Sequence, residues 1–476
     1  MGRDVTEALR RSGSKRKARL SVGAALLAGT LALSACSGGG GGPEADGDAL
    51  TIWTTDNLPD SMAQTEAIAA DFTEASGIDV EVVGVAEDQF NQLLTSAAAA
   101  GDLPDVIGGL SLAQVRTLAA NDLANTDATG AVVERLGADT FTARALEMTQ
   151  DDGTQLAVPS ESWAQLLYYR TDLFEKAGLQ PPETYEDILA AAEALDGPDT
   201  AGFVGATAPG DAFTHQTFEH IALGNDCQMV TDAGEIAFDS PECVEALQFY
   251  QDLIGGYSVP GAQDVDTVRA AYFAGQAAMF VWSTFALDEM AGLRDDAKPT
   301  CPECTDDPAF LAKNTGIVPA IQGPSGSAPA PFGEVTSWAI TVGAPADPAQ
   351  QFVEYMMTDG YEPWLAIAPE GKVPVRSGTA ENPTQYADAW GTLDIGVDTQ
   401  GPLSDFYSDD VLSVLQAGPE DLSRWGITQG QGDLVGASLG ELPVAAAVSA
   451  VTSGTDPEQA AQEAADALRT IQESQE

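Results

Sequence analysis

Three apolar runs separated by two helix-like segments constrain the fold more than any other feature of this chain. The runs "ALTIWTT" (49–55), "IDVEVVGV" (78–85) and "PDVIGG" (104–109) have the composition of strands. In the first intervening segment Ser61 and Gln64 have capping-box spacing, Ile68 and Phe72 share a helix face, and Gly77 is a C-terminal stop. The second helix is expected to end near residue 100. This strand–helix order predicts an α/β fold with a mainly parallel sheet.

The rest of the chain continues the same mixture of strands and helices. "QLAVPSESWAQLLYYR" (155–170) is another extended apolar stretch. Thr184 and Asp187 are expected to open a helix that runs through Ala194, and Asp456 and Pro457 suit the start of a last helix that ends near residue 469. The 476 residues are enough for two or three domains.

The first 48 residues have the pattern of a signal peptide followed by a flexible linker. A basic block at 10–19 precedes an uncharged, mostly apolar stretch at 20–33, which is too short to span a bilayer comfortably. Leu-Ser-Ala-Cys (33–36) resembles a bacterial lipobox, which implies cleavage before Cys36 and acylation of its thiol and its new amine. We therefore expect a signal peptide at 1–35 and a lipidated, flexible, Gly-rich linker at 36–47. The alternative is a secreted protein with a stray cysteine.

The charge balance excludes whole classes of partner. The chain has 20 Lys and Arg against 73 Asp and Glu, a formal net charge of −53. Such a surface repels nucleic acid and anionic lipid, and it disfavours anionic ligands unless a local basic pocket exists. We hypothesise a salt-adapted source, in which screening tolerates the self-repulsion. The alternative is an ordinary acidic secreted protein.

The four remaining cysteines predict disulfides, because an even number of cysteines outside the membrane is usually paired. Pairing nearest neighbours gives Cys227–Cys243 and Cys301–Cys304, one of three possible connectivities. The Cys-Pro-Glu-Cys run at 301–304 has the spacing of a redox motif or half of a zinc site. Since no second such pair and no neighbouring histidine accompany it, a structural bridge is favoured.

The sequence offers little of the equipment of an enzyme. Gly-Ala-Ser-Leu-Gly at 436–440 matches the GxSxG nucleophile pattern, but such hydrolases need a histidine after the serine. The histidines His215 and His220 both precede Ser438, and they lie five residues apart with no cysteine nearby. A phosphate-binding loop is not found, and no GxGxxG follows a strand. We therefore expect no catalysis, no cofactor and no metal.

Several aromatic residues lie in polar company near the ends of strand-like runs. They are Trp163 in "SESWAQ", Trp282 and Phe285 in "FVWSTF", and Trp338 in "GEVTSWAI". A flat ring can stack on the CH-rich face of a sugar while Ser, Thr, Asp and Glu bind its hydroxyl groups. The alternative for each tryptophan is a core position with its N–H satisfied by a polar neighbour.

Ordered landmarks give a family resemblance over nearly all of residues 49–472. They include "GTQLAVPSESWAQLLYYRTDLFEKAGLQPPETYEDILAAAEAL" (153–195), "YFAGQAAMFVWS" (272–283), "NTGIVPAIQGPSG" (314–326) and "GKVPVRSG" (371–378). The chain resembles the sugar-binding lipoproteins of ABC importers, the maltose-binding-protein-like solute-binding family. The resemblance implies an α/β, two-lobed periplasmic-binding-protein-like fold with three hinge crossings, expected near 158–166, 316–320 and 372–376. Lobe one would then be 48–160 with 320–372, and lobe two 161–319 with 373–476.

The resemblance also implies a binding cleft between the lobes. Its expected residues are Thr54, Asp56, Gly109, Ser111, Ser160, Ser162, Trp163, Trp282, Phe285, Glu334, Thr336, Trp338 and Arg376. The late segment that supplies aromatic rings in some members reads "GASLGELPVAA" here, and Trp425 is the expected substitute. Arg376 has an alternative role in capping the hinge.

The implied function is capture of a carbohydrate and its delivery to ABC transporter permease subunits. The protein would be a monomer, held at the outer face of the cell membrane by its lipid anchor. Two alternatives remain open: a binding protein for another solute, such as a polyamine or an osmolyte, and a secreted hydrolase.

Overall fold

The structure, a computed structural model, describes residues 49–86 and 89–475. The expected signal peptide, Cys36 and the linker lie outside the described residues. The strands, in chain order, are β1 (Leu50–Thr54), β2 (Val80–Gly84), β3 (Val106–Leu110), β4 (Gln150–Asp151), β5 (Thr154–Gln155), β6 (Val158–Arg170), β7 (Met279–Ser283), β8 (Thr315–Val318), β9 (Gly333–Ile340), β10 (Val373–Pro374), β11 (Asp394–Ile395) and β12 (Gly401–Pro402).

Helices account for most of the remaining regular structure. In chain order they are α1 (Pro59–Ser76), α2 (Phe90–Ala100), α3 (Leu112–Ala120), α4 (Thr126–Leu136), α5 (Ala143–Met148), α6 (Thr171–Ala177), α7 (Tyr185–Leu195), α8 (Ala212–Leu223), α9 (Pro241–Tyr257), α10 (Val265–Phe273), α11 (Ala286–Met290), α12 (Phe310–Lys313), α13 (Ala346–Met356), α14 (Tyr361–Leu365), α15 (Gln385–Trp390), α16 (Leu403–Phe406), α17 (Asp409–Ala417), α18 (Gly432–Glu441), α19 (Pro443–Thr452) and α20 (Pro457–Gln475).

The first sheet has the strand order β10-β6-β9-β3-β1-β2. β1 pairs in parallel with β2 and β3, as the strand–helix order predicts. β9 pairs antiparallel with both β3 and β6, and β10 pairs antiparallel with β6. The expectation of a mainly parallel sheet is therefore wrong beyond β3. The physical reason is that β6 and β9 do not belong to the early βαβ units, whose crossover helices enforce parallel pairing.

The long strand β6 joins this sheet to a second one. Its residues 158–164 pair with β9. Its residues 165–170 pair with β7 on one side and β8 on the other. A single continuous strand therefore contributes to both sheets, at the place where the sequence predicts the first crossing. The exact lobe boundaries stay a prediction.

Local sequence signals position most helix ends. Gly77 follows α1 in the left-handed conformation, with φ of 77°. The Thr184 hydroxyl accepts a hydrogen bond from the Asp187 N–H at 3.1 Å and caps α7. The expectation that Ser61 caps α1 is wrong, because the helix begins two residues earlier at Pro59. Proline is already fixed near the helical φ and needs no N–H there.

The last helix begins, and the cysteines pair, as the sequence predicts. Asp456 accepts hydrogen bonds from the N–H groups of the first turn of α20, which then continues to Gln475, past the expected end. Disulfides join Cys227 to Cys243 and Cys301 to Cys304, so the nearest-neighbour pairing is confirmed.

Within residues 49–86 and 89–475, no single helix has the length and apolar character to cross a membrane. One bent pair, α18 with α19, meets those criteria jointly, with a 52° angle between the two helices.

Candidate ligand-binding cleft

A cavity of about 380 Å³ has lining residues from elements of both sheets. The described residues that form its wall carry aromatic rings, carboxylates, amides and hydroxyls, together with one ammonium group. The lining residues are Thr55, Asp56, Gly109, Ser111, Ala113, Glu161, Trp163, Gln165, Phe213, Gln216, Val265, Trp282, Ser283, Phe285, Glu334, Thr336, Gly371, Lys372 and Leu439. The volume lies within the range of small-molecule sites.

Strand β6 supplies one wall of the cavity through alternate residues. Glu161, Trp163 and Gln165 all line it, as the period of two along a strand requires. Ser160 and Ser162 are buried outside the lining, so their expected cleft positions are wrong. The expectation placed Ser162 and Trp163 in the cleft together, although adjacent residues of a strand point to opposite faces of the sheet. Glu161 and Gln165 were missed, although their spacing from Trp163 was a usable signal.

Strand β9 supplies Glu334 and Thr336, as expected, but not Trp338. Trp338 is fully buried, with ring centroids 5.0 Å from Trp364 and 5.9 Å from Phe352. Because side chains alternate along a strand, Trp338 lies on the same side of β9 as Glu334 and Thr336. It is two residues beyond Thr336, however, where α13 and α14 cover that side of the strand. Its expected cleft position is wrong for that reason.

The loops after β1 and β3 contribute the opposite edge. Asp56, Gly109 and Ser111 line the cavity, whereas Thr54 is fully buried beneath it. The Thr54 hydroxyl accepts a hydrogen bond from the Asp56 backbone N–H at 3.2 Å, so Thr54 supports the backbone of this loop and its expected cleft position is wrong. Ser111 caps α3 in a capping box. Gly109 has φ of 72°, a conformation that favours glycine.

Aromatic rings cover two parts of the cavity wall. Trp163 and Phe285 have ring centroids 6.4 Å apart, and Phe285 is 40% exposed. Phe213, which the sequence reasoning missed, packs against Trp282 with centroids 4.4 Å apart. Trp282 is only 6% exposed, so the more accessible rings are Trp163 and Phe285.

The cavity's ammonium group belongs to Lys372, which was not among the expected site residues. Its Nζ lies 2.6 Å from Asp56 Oδ2 and 3.2 Å from Glu161 Oε1. Burial lowers the pKa of Lys372, but the two carboxylates outweigh that effect and raise its pKa above the usual value. Lys372 therefore stays charged and is already neutralised by the protein.

Glu161 is fixed by further donors. The Thr336 hydroxyl donates to Glu161 Oε1 at 2.6 Å, and the Trp364 indole N–H donates to Oε2 at 2.8 Å. The Lys372 ammonium also lies 3.8 Å from the centre of the Trp364 ring. These contacts hold the carboxylate in a single orientation at the cavity wall.

A second buried ion-pair network lies behind Glu334. Arg424 contacts Glu334 and also Glu219, whose Oε1 is 3.1 Å from the Arg424 Nε. Burial raises the pKa of Glu334 above its usual value, with Arg424 opposing the effect. Burial would also raise the pKa of Glu219, but Arg424 and His215 outweigh it and lower that pKa.

Several candidates from the sequence lie elsewhere. Trp425 is fully buried, and its indole N–H donates to the Cys227 carbonyl, so it does not replace the absent aromatic rings of the late segment. Arg376 is buried outside the cavity lining and donates to backbone carbonyls, including that of Leu136 at 3.2 Å. This contradicts a cleft position for Arg376, and its alternative role in capping the hinge stays a prediction.

The supposed catalytic elements also have structural roles. Ser438 is fully buried within α18, and its hydroxyl donates to the Val435 carbonyl. His215 and His220 are both buried on α8, and burial lowers the pKa of His220 to about 3. Across the described part of the chain, no group of three or more His, Cys, Asp or Glu side chains is arranged to hold a metal ion.

Fixed acceptors, amide groups and accessible rings can together bind a hydroxyl-rich molecule. Gln165 is 1% exposed, and its Oε1 has no hydrogen-bond partner within the protein, which leaves an acceptor for a ligand hydroxyl. The long strand shared by two sheets and the cavity lined from both define a two-lobed binding protein.

Comparison with known proteins identifies the family. Residues 55–363 match the model of the bacterial extracellular solute-binding proteins, and the chain belongs to that family. A relative in Escherichia coli strain K12, the putative ABC transporter periplasmic-binding protein YcjN, is 28% identical over 318 residues, covering 65% of this chain and 69% of that protein.

Solved structures share the fold. The cyclic alpha-maltosyl-1,6-maltose binding protein of Arthrobacter globiformis matches with a TM-score of 0.67 and 20% identity, over 90% of this chain and 99% of that one. UgpB of Mycobacterium tuberculosis, in complex with glycerophosphocholine, matches with a TM-score of 0.66 and 16% identity, over 90% and 100%. The α/β, two-lobed periplasmic-binding-protein-like fold is thus confirmed.

Proposed function

We propose that this protein captures a carbohydrate between its lobes and delivers it to the permease of an ABC importer. The observation that carries the proposal is the cavity lined by Trp163, Phe285 and oriented carboxylates and amides from both sheets. Rings provide flat surfaces for the CH faces of a sugar, and the polar groups pair with its hydroxyls. Family membership and the sugar ligand of the Arthrobacter globiformis protein support this reading.

Delivery requires that the protein stays near its transporter. The lipobox-like Leu-Ser-Ala-Cys at 33–36 supports anchoring of an extracytoplasmic protein through acylated Cys36. Expression of the full chain in a bacterial host should place it in the membrane fraction, with mass spectrometry showing an acylated N-terminal cysteine. The Cys36→Ala variant should not be acylated. Finding unmodified wild-type Cys36 would contradict the anchor.

A ligand panel tests the binding function. Purified protein lacking residues 1–47 should show a raised melting temperature with one or more neutral mono- or oligosaccharides, and calorimetry should then give a saturable Kd. Spermidine and glycine betaine represent the polyamine and osmolyte alternatives. A shift with these and not with any sugar would contradict the carbohydrate proposal. Chemical turnover of the bound sugar would contradict a purely binding role.

A further inference from the structure

We infer that the cleft rejects phosphorylated and other anionic forms of its ligand, because the protein's own carboxylates occupy the groups that would bind an anion. The inference rests on the proposed capture of an uncharged sugar, and it adds that the cleft discriminates against anionic ligands. The shared fold does not by itself imply this rejection, because a structurally similar protein was solved in complex with glycerophosphocholine, a phosphodiester.

The first occupied anion-binding group is Lys372. Of the described residues that line the cavity, one is basic, Lys372. Three are acidic: Asp56, Glu161 and Glu334. The Lys372 side chain is 6% exposed and has carboxylate oxygens at 2.6 Å and 3.2 Å. A phosphate could gain this ammonium only by displacing a carboxylate that is held in place.

The second occupied group is the N-terminus of α3. Helix N-termini bind anions through free backbone N–H groups. Here the Leu112 N–H donates to Glu334 Oε1 at 2.8 Å, the Ser111 N–H donates to Gln114 Oε1 at 2.8 Å, and the Gln114 N–H donates to the Ser111 hydroxyl. The site that could hold a phosphate therefore holds the protein's own carboxylate.

The third group is the guanidinium of Arg424, which lies behind Glu334. Its side chain is 1% exposed and is engaged by the buried carboxylates of Glu219 and Glu334. Each cation near the cavity thus faces two carboxylates, so the local field is negative. A neutral ligand meets oriented acceptors, whereas a phosphate meets repulsion without a free counter-charge.

The test uses Asp56→Asn, which removes one of the two charges on Lys372 and keeps the shape of the side chain. Asp56 is 34% exposed at its side chain, so the exchange leaves the core untouched. Calorimetry at low salt would compare the wild type and Asp56→Asn with inorganic phosphate, glucose 6-phosphate and sn-glycerol 3-phosphate. We expect the wild type to show no saturable binding at millimolar concentrations of these phosphates. Asp56→Asn should bind at least one of them with an affinity at least tenfold higher than the wild type.

Two controls separate this inference from the proposed function. Adding Lys372→Met to Asp56→Asn should abolish the gain, and circular dichroism should show that both variants are folded. Saturable wild-type binding of any of the three phosphates at millimolar concentrations, or no gain in Asp56→Asn, would overturn the inference. The neutral-sugar panel decides the proposed function separately, because the phosphate measurements do not depend on it.

Discussion

Trp163 and Trp338 lie on neighbouring strands, but one lines the cavity and the other is buried in the core. Trp163 lies on β6 at the cavity wall, beside Phe285 and Phe332. Trp338 lies on β9 under α13 and α14, where a Cβ added to Gly108 would come within 2.2 Å of its ring. The same residue type therefore has a cavity-lining position on one strand and a core position on the next.

The Trp163→Ala variant should bind the sugar identified in the panel more weakly, by about 1–3 kcal/mol, the range seen for aromatic stacking on flat ligands. The ring offers stacking area that alanine lacks. Calorimetric Kd values for the variant and for Val397→Ala, an exposed position outside the cavity lining, would check this. An unchanged Kd in Trp163→Ala would remove the ring from the site.

The Trp338→Ala variant should lose about 3–5 kcal/mol of unfolding free energy, since it empties a fully buried site. Its Kd at a temperature where it remains folded should match that of the wild type. Denaturant unfolding and calorimetry on one preparation would measure both quantities. A weakened Kd with unaltered stability would reverse our assignment of Trp338 to the core.

At the scale of elements, α11 and the short 369–371 turn bring buried acids together. Asp288 and Glu370 are 1% and 4% exposed, and each has one carboxyl oxygen without a hydrogen-bond partner in the protein. Burial, with the neighbouring Glu289, raises the pKa of Asp288 to about 7. Burial, followed by the charge of Asp288, also raises the pKa of Glu370 well above its usual value. Arg294 opposes both shifts.

This cluster should make stability fall as the pH rises. The unfolded Asp288 carboxyl has its ordinary pKa of 3.8 and the folded one about 7, so the folded state holds the proton more tightly. The stabilisation is therefore complete below pH 3.8 and is lost as the pH approaches 7. Asp288→Asn should show a smaller drop in melting temperature between pH 5 and pH 8 than the wild type. The exposed Asp232→Asn variant is the control, and an equal drop in Asp288→Asn would contradict the assignment.

The two disulfides connect very different lengths of chain. Cys227 and Cys243 are 16 residues apart, whereas Cys301 and Cys304 are 3 apart. Replacing both cysteines of the longer loop by alanine should cost about 3 kcal/mol, because the unfolded chain regains the entropy of an open loop. The same exchange at 301 and 304 should cost less. Unfolding free energies from denaturant titration would compare them, and equal losses would argue against the loop-entropy explanation.

At the scale of the whole molecule, net repulsion is the dominant electrostatic feature. The formal net charge of −53 is spread over the chain, and several ion pairs on the surface leave most carboxylates uncompensated. Salt should therefore stabilise the protein, since raising the ionic strength from about 0.1 to 1 M shortens the screening length from about 10 to 3 Å. Melting temperatures in a KCl series would test this. A melting temperature indifferent to KCl would count against salt adaptation.

Much of the fold could be predicted because its signals are local. Gly77, Thr184 and Asp456 determine helix ends through their own backbone conformations and side chains. The site was predicted only in part. Asp56, Gly109, Ser111, Trp163, Trp282, Phe285, Glu334 and Thr336 line the cavity as expected. Lys372 could not be found from sequence, because its partner Asp56 is 316 residues away along the chain.

The sequence by itself determined the order of the first strands and helices, the four cysteines after residue 36 that are available for disulfides, the acidic composition and the leader-like first segment. These depend on residue type and on spacing over a few positions. Only the tertiary structure decided which side chains of β6 and β9 reach the cleft, that Trp338 is core, and that Lys372 and Arg424 are already paired. Those outcomes depend on which distant segments pack together: the Leu112 N–H and Glu334, 222 residues apart, meet only in the folded chain.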